Sequence, residues 1–191
     1  MNNVATLGPP VIETRRLVLR DWREGDETLL HRHCNTEAVM RWLGGVQTFD
    51  EQVDVVERLR SYRRDYGYTF WAAERRADGK FLGFCGLKRA NGFESSVAGE
   101  VEIGWRLRED AWGQGYAKEG ALASLEFAFR HLEAARVVAL TIAENRASWG
   151  LMLRLGMERR ADLDYSDPEW PAEMNPVIVY ELRQEDWDRT R

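Results

Sequence analysis

Residues 100–120 read Glu100-Val-Glu-Ile-Gly-Trp-Arg-Leu107, Arg108-Glu-Asp-Ala111, Trp112-Gly-Gln-Gly-Tyr-Ala-Lys-Glu-Gly120, and this stretch decides the fold. Val101, Ile103, Trp105 and Leu107 alternate with Glu100, Glu102, Gly104 and Arg106, the period of two of a strand with one apolar face. After a short acidic turn, Gly113 and Gly115 let backbone amides crowd together with no side chains between them. Leu122, Leu125, Phe129 and Leu132 then recur at helical spacing. A strand, a glycine turn and a helix N-terminus bring unpaired N–H groups and the positive end of the helix dipole to one place. That combination predicts an anion site, with phosphate or pyrophosphate as the ligand.

Two common phosphate signatures do not apply. The dinucleotide fingerprint G-x-G-x-x-G fails because Lys118 holds its third glycine position, and G-x-x-x-x-G-K-[ST] is absent. Glu133 lies about twenty residues on, at the distance of a ribose-binding acid, but it precedes the apolar run Val137–Ile142 instead of ending it. Trp112-Gly113-Gln114-Gly115-Tyr116-Ala117 resembles the pyrophosphate loop of the GNAT acyl-CoA N-acetyltransferases, [RQ]-x-x-G-x-[GA], with Trp112 where Arg or Gln is usual. The W-G-x-G-x-A form preceded by Glu102-Ile103-Gly104 is similar to the Rim-type branch, the ribosomal-protein N-terminal acetyltransferases and their relatives. The resemblance runs from Glu13-Thr14-Arg15-Arg16-Leu17 to Val179-Tyr180-Glu181-Leu182.

The resemblance implies an α/β (α+β) GNAT fold, with a mixed, mostly antiparallel central sheet splayed between two parallel strands and flanked by helices. It implies acetyl-CoA as co-substrate, pantetheine between the splayed strands, and direct transfer of acetyl to a primary amine in a ternary complex. The acceptor is a protein N-terminal α-amine or a small amine such as an amino acid, polyamine or drug. Coenzyme contacts are then expected from Ile103, Gly104, Trp105, Gly113, Gln114, Gly115, Tyr116, Ala117, Asn145 and Ser148. An α-amine has a pKa of about 8 and a lysine amine about 10.4, so a base or a desolvated site must help remove the proton. Glu102 and Glu100 leave the strand on one face, and either fits that task; the plain alternative is a pairing with arginines on a neighbouring strand. Backbone N–H groups near Ile103–Trp105, freed where the strands part, would polarise the carbonyl. Gly104 there marks close approach of another group, or a simple bulge. Asn145 is a good helix cap, and in the Rim-type pattern it and Ser148 reach the pantetheine, with Ser148 donating a proton to the departing thiolate. Arg146 and Arg154 are further candidates, for the adenosine phosphates. Trp22, Trp42, Trp71 and Trp149 are candidates for an acceptor pocket, with core packing as the default. A non-catalytic acyl-CoA-binding module is the competing reading; release of free thiol from acetyl-CoA separates the two. A nucleotide-binding oxidoreductase is disfavoured by the broken fingerprint.

At 191 residues the chain is expected to form one domain, with 1–11 as a loose leader. The net charge of −5 argues against nucleic acid as a partner and disfavours an anionic acceptor. No apolar run has the length of a membrane span, and Met1–Pro10 lacks the features of a signal peptide, so the expectation is a cytoplasmic protein without a membrane partner, monomeric or homodimeric. Cys34 and Cys85 are far apart in sequence, with Cys85 in an apolar run that predicts a buried thiol. His31 and His33, two apart on a helix, cannot face one ligand, and no metal is expected.

Along the rest of the chain, Leu17–Trp22 reads as a strand, Glu24–Asn35 and Thr36–Gly45 as helical pieces, and a helix starts near Asp50 and fades at Asp65–Gly67. Thr69–Glu74 and Lys80–Lys88 read as a hairpin through Ala77-Asp78-Gly79-Lys80, and Asn91–Gly99 as a polar turn. Arg136–Ile142 reads as a buried strand, Asn145–Leu155 as a helix stopped by Gly156, Met157–Leu163 and Val177–Arg183 as strands, and Tyr165–Asn175 as a loop.

Overall fold

The computed structural model describes residues 12–92 and 94–189, so the leader expected at 1–11 lies outside the described residues. One eight-stranded sheet runs in the order β1 (Ile12–Glu13), β2 (Leu17–Arg20), β3 (Phe70–Arg75), β4 (Phe81–Arg89), β5 (Val101–Leu107), β6 (Arg136–Thr141), β8 (Ile178–Arg183) and β7 (Glu158–Arg159). Every neighbouring pair is antiparallel except β5 and β6, which are parallel. This is the mixed, mostly antiparallel α/β sheet that the resemblance implies.

Helices cover both faces. The apolar residues of β5 pack with Leu17, Trp71, Cys85 and Leu87 against Leu125 and Phe129 of α4 (Tyr116–Arg130). Gly120 lets that helix lie close, because a Cβ there would come within 3.1 Å of Cys85 Sγ. Leu125 is fully buried, and Leu125→Ala would cost about 2–5 kcal/mol. The opposite face carries Phe70, Ala72 and Phe84, covered by Leu30 and Cys34 of α1 (Asp26–Cys34), Val39 of α2 (Glu37–Met40), and Val56 and Leu59 of α3 (Phe49–Tyr66).

The helix ends follow local chemistry. Thr48 and Glu51 form a reciprocal capping box at the start of α3, and Gly67 at φ 81° ends it. Asn145 caps α5 (Arg146–Arg154) by accepting from Ser148 N at 3.3 Å.

One expected strand needs correction, and one helix was not expected. The strand expected over Met157–Leu163 is only Glu158–Arg159, followed by a 3-10 turn at Ala161–Leu163. The Asp164 carboxylate replaces the missing ladder, accepting from Val179 N at 3.1 Å and from Arg159. A final helix, α6 (Gln184–Arg189), follows β8, and its Trp187 is buried against Phe129. Six residues cannot hold a helix alone, so tertiary packing decides this one.

Candidate active site

The site begins where the two parallel strands separate. Their ladder has only two registered positions, Val101 with Val137 and Glu102 with Val138, although β5 continues to Leu107 and β6 to Thr141. Beyond the fork, the edge of β5 from Ile103 to Trp105 has no strand partner on the β6 side among the described residues, while its other edge stays in register with β4 through Gly104. Gly104 is therefore no bulge. It faces the Phe70 ring, and an added Cβ would lie 2.6 Å from Phe70 Cζ.

Downstream of β5, Gly113 (φ 71°) and Gly115 (φ 81°) hold left-handed backbone conformations that disfavour side chains, and Gly115 caps α4. The first-turn N–H groups of a fifteen-residue helix open onto this exposed turn. Tyr116 is buried and Ala117 half-buried, so both anchor the turn to the domain. Arg16 clamps it from outside. Its Nη1 donates to Gln114 O at 2.9 Å, its Nε to Glu119 at 2.6 Å, and its guanidinium sits 4.6 Å over the Tyr116 ring. Arg16 Nη2 would lie 3.3 Å from a Cβ on Gly115, whereas nothing lies within 4 Å of one on Gly113. Open backbone amides with a guanidinium beside them suit a pyrophosphate.

On the face of β5 turned toward α3, Glu102 is buried and accepts from Lys88 Nζ at 2.6 Å, its registered neighbour on β4. Lys88 also donates to Asn91 Oδ1 at 2.8 Å. The second Glu102 oxygen, Oε1, has no hydrogen bond to the described residues and is not sealed off. Tyr62 of α3 and Tyr165 flank this end; burial raises both phenol pKa values, and the Glu102 charge adds to each. Glu100 pairs instead with Arg136 of β6 at 2.8 Å, the neighbouring-strand pairing weighed for it above. Ser148, in the first turn of α5, gives its backbone N–H to Asn145 Oδ1, but its half-exposed hydroxyl has no partner among the described residues. Asn145 is thus the cap and Ser148 is not.

The Acetyltransferase (GNAT) domain model matches residues 16–158, which contain the fork, the glycine turn and the Asn145–Ser148 pair. The chain belongs to the GNAT acetyltransferase family. It is an acetyl-CoA-dependent acyltransferase. An uncharacterized Bacillus subtilis (strain 168) protein, YkkB, is 29% identical over 171 residues, 89% of this chain and 94% of that protein. The structure of an acetyltransferase from Agrobacterium tumefaciens str. C58 matches with a TM-score of 0.76 at 23% identity, covering 96% of this chain and 99% of that one. Spermidine N-acetyltransferase from Vibrio cholerae, solved with CoA and spermine, matches with a TM-score of 0.70 at 18% identity, covering 91% and 99%. These structural likenesses establish the shared fold.

In this GNAT enzyme Trp22 and Trp71 are core residues. Trp22 donates to Phe70 O at 2.7 Å, and Trp71 lies in the α4-side core against Phe127. Trp149 donates to Ala143 O at 2.9 Å, and Arg41 stacks over Trp42. Both cysteines are buried, and burial pushes each thiol up to about 12, far from a nucleophile's range. His31 contacts Asn35 and the edge of Phe49. Among the described residues no three His, Cys, Asp or Glu side chains group closely enough to hold a metal ion, and no helix is long and apolar enough to cross a membrane.

Sequence reasoning missed Arg16, Lys88, Tyr62, Tyr165 and Arg106 as site residues. The alternation of β5 gives Arg106 the same face as Glu102, which was a usable signal. The others depend on strand register and loop placement, which no local pattern encodes.

Proposed function

We propose that this GNAT enzyme acetylates a primary amine by direct transfer in a ternary complex, in the cytoplasm, as a member of the Rim-type branch. The observation that carries the reading is the fork: a two-position parallel ladder with the buried carboxylate of Glu102 at its end. The branch assignment rests on the W-G-x-G-x-A turn and the preceding Glu102-Ile103-Gly104.

Acetyl-CoA, when bound, supplies the thioester. Backbone N–H groups of Gly113–Ala117 hold its pyrophosphate, supported by the positive end of α4. Asn145 orients the pantetheine arm. A backbone N–H between Ile103 and Trp105 donates to the acetyl oxygen, where negative charge grows as the amine attacks. Glu102, held in place by Lys88, takes the amine proton through Oε1, directly or by one water. The new C–N bond forms, the C–S bond breaks, and Ser148 Oγ–H gives its proton to the sulfur; Ser148 then regains a proton from solvent, to which Glu102 releases the one taken from the amine. Neither buried cysteine takes part, so no acyl-enzyme forms.

The test is thiol release from acetyl-CoA with a panel of peptide N-termini and small amines, with product mass to locate the acetyl group. Acetylation of an amine supports the reading. Binding of acetyl-CoA without amine-dependent thiol release under any acceptor overturns it.

A further inference from the structure

We propose that Arg106 is a carboxylate anchor on the acceptor side of β5, so that the amine acetylated here belongs to a molecule that also carries a carboxylate. The proposal deepens the acetyltransfer reading above and rests on it for the identity of the reacting end.

Arg106 differs from the other inward-facing arginines. Arg20, Arg63, Arg136 and Arg160 each have a carboxylate oxygen within 3 Å: Asp26 at 2.6 Å, Asp21 at 2.9 Å, Glu100 at 2.8 Å and Glu181 at 2.7 Å. Arg106 has no carboxylate partner among the described residues. Its guanidinium lies 5.0 Å over the Phe84 ring, and its Nε is fully buried without an acceptor. Nη1 reaches only Gln52 Oε1, at 3.4 Å. Gln52 is itself completely buried and donates to Gln47 Oε1, whose backbone is tied to Asn35. This relay is neutral: it fixes the direction of the guanidinium without compensating its charge. Nη2 has no partner among the described residues and, unlike Nε, is not sealed from solvent. Burial pulls the Arg106 pKa down to about 10, and it stays cationic at neutral pH.

A cation held this way costs folding energy, and an incoming anion would recover it. The position says which anion. Arg106 shares the α3-facing side of β5 with Glu102, four residues away and therefore about 13 Å along the strand, with Gly104 and the Phe70 ring between them. This face of β5 thus has the Lys88-bound carboxylate beside the fork and, away from it, a guanidinium with no carboxylate partner among the described residues. A molecule with an ammonium or amine at one end and a carboxylate at the other matches that polarity. A polyamine does not, since its second ammonium would face Arg106. One guanidinium and one neutral amide balance a single negative charge, which suits a planar carboxylate better than a phosphate dianion. The net charge of −5, which disfavours anionic acceptors when read as a whole-chain property, does not govern this half-buried guanidinium.

The experiment compares ω-amino carboxylates of two to six carbons with their carboxamides, and with spermidine, as acceptors for thiol release. The best carboxylate should exceed its carboxamide in kcat/KM by about 30-fold or more, the scale for a desolvated charge pair. In Arg106→Met, which fills similar volume without charge, that ratio should fall to near one and Tm should hold or rise. A second arm needs no turnover. Butyrate, and not butyramide, should raise the Tm of the wild-type protein, and Arg106→Met should lose that response. Should Arg106→Met fail to fold, Arg106→Lys replaces it and should keep a weakened preference. Equal rates for carboxylate and carboxamide, spermidine as the best acceptor, or a butyrate response that survives Arg106→Met overturns the proposal. A protein that releases no thiol with any amine yet shows the Arg106-dependent butyrate response refutes the transfer reading while leaving the anion site standing.

Discussion

The two halves of the proposed site, one for coenzyme and one for acceptor, are built in different ways. The coenzyme half is nearly contiguous: the free edge of β5, the glycine turn and the first turn of α4 all fall within residues 101–119. The acceptor half is assembled from β4 (Lys88), β5 (Glu102, Gly104, Arg106), β3 (Phe70), α3 (Gln52, Tyr62) and the loop bearing Tyr165. The first uses backbone N–H groups, which any sequence supplies once glycines set their direction. The second uses side chains whose partners are settled by register. A backbone site can therefore keep one ligand while a side-chain site changes specificity beside it.

Substitutions should separate the halves. The largest effect is expected at Glu102. Glu102→Gln keeps the shape, removes the base and leaves Lys88 without its carboxylate partner, so kcat should fall roughly 10²–10⁴-fold. Acetyl-CoA affinity, measured by calorimetry, should hardly change. Near wild-type turnover across the pH range would return Glu102 to a purely structural ion pair.

Gly115→Val should produce the reverse pattern. A β-branched residue at φ 81° costs about 1–3 kcal/mol in strain, and its Cβ crowds Arg16. Acetyl-CoA Kd should rise tenfold or more in a protein that is still folded by circular dichroism. Unchanged affinity would remove the glycine turn from the coenzyme half.

Ser148→Ala tests whether chemistry reaches across the boundary. Because Asn145 is the cap, removing the Ser148 hydroxyl should leave Tm nearly unchanged. If Ser148 donates the leaving-group proton, kcat and kcat/KM should fall together, and a thioester with a better leaving group should recover part of the loss. A stability loss of the size expected for a lost cap, about 1 kcal/mol, with intact turnover per folded molecule would overturn the proposed role of Ser148 as proton donor.

The smallest effect concerns acid. Glu119 ties the segment before β2 to α4. Burial alone would raise its pKa, but hydrogen bonds from the Thr14 hydroxyl and the Arg16 side chain and backbone, with the Arg16 charge, bring it below the ordinary carboxylate value. Its stabilisation is thus fully present above the unfolded value, near 4.3, and is lost as pH falls through the lower folded value. Hydrogen exchange in α4 should rise there before exchange in α3 does, and Glu119→Gln should remove that difference. Simultaneous opening of both helices would show that Glu119 does not hold the coenzyme half separately.

By itself the sequence determined the parts whose physics is local. The alternation of Val101–Leu107, the spacing of Gly113 and Gly115 before an amphipathic helix, and Asn145 ahead of α5 each follow from interactions within a few residues. The same locality explains why Cys85 was legible as a buried thiol and Gly156 as a helix stop. Tertiary structure decided everything that joins distant segments. It cut the strand expected over Met157–Leu163 to two residues, because the Asp164 side chain takes the hydrogen bond a longer ladder would have made. It paired Lys88 with Glu102, brought Tyr62 and Tyr165 beside them, and left Arg106 against Gln52 with no carboxylate among the described residues. Strand alternation tells which face a residue occupies. Only the register of β4 on β5 and the packing of α3 above them tell what it meets, because those contacts join residues as much as 54 positions apart and no short pattern records them.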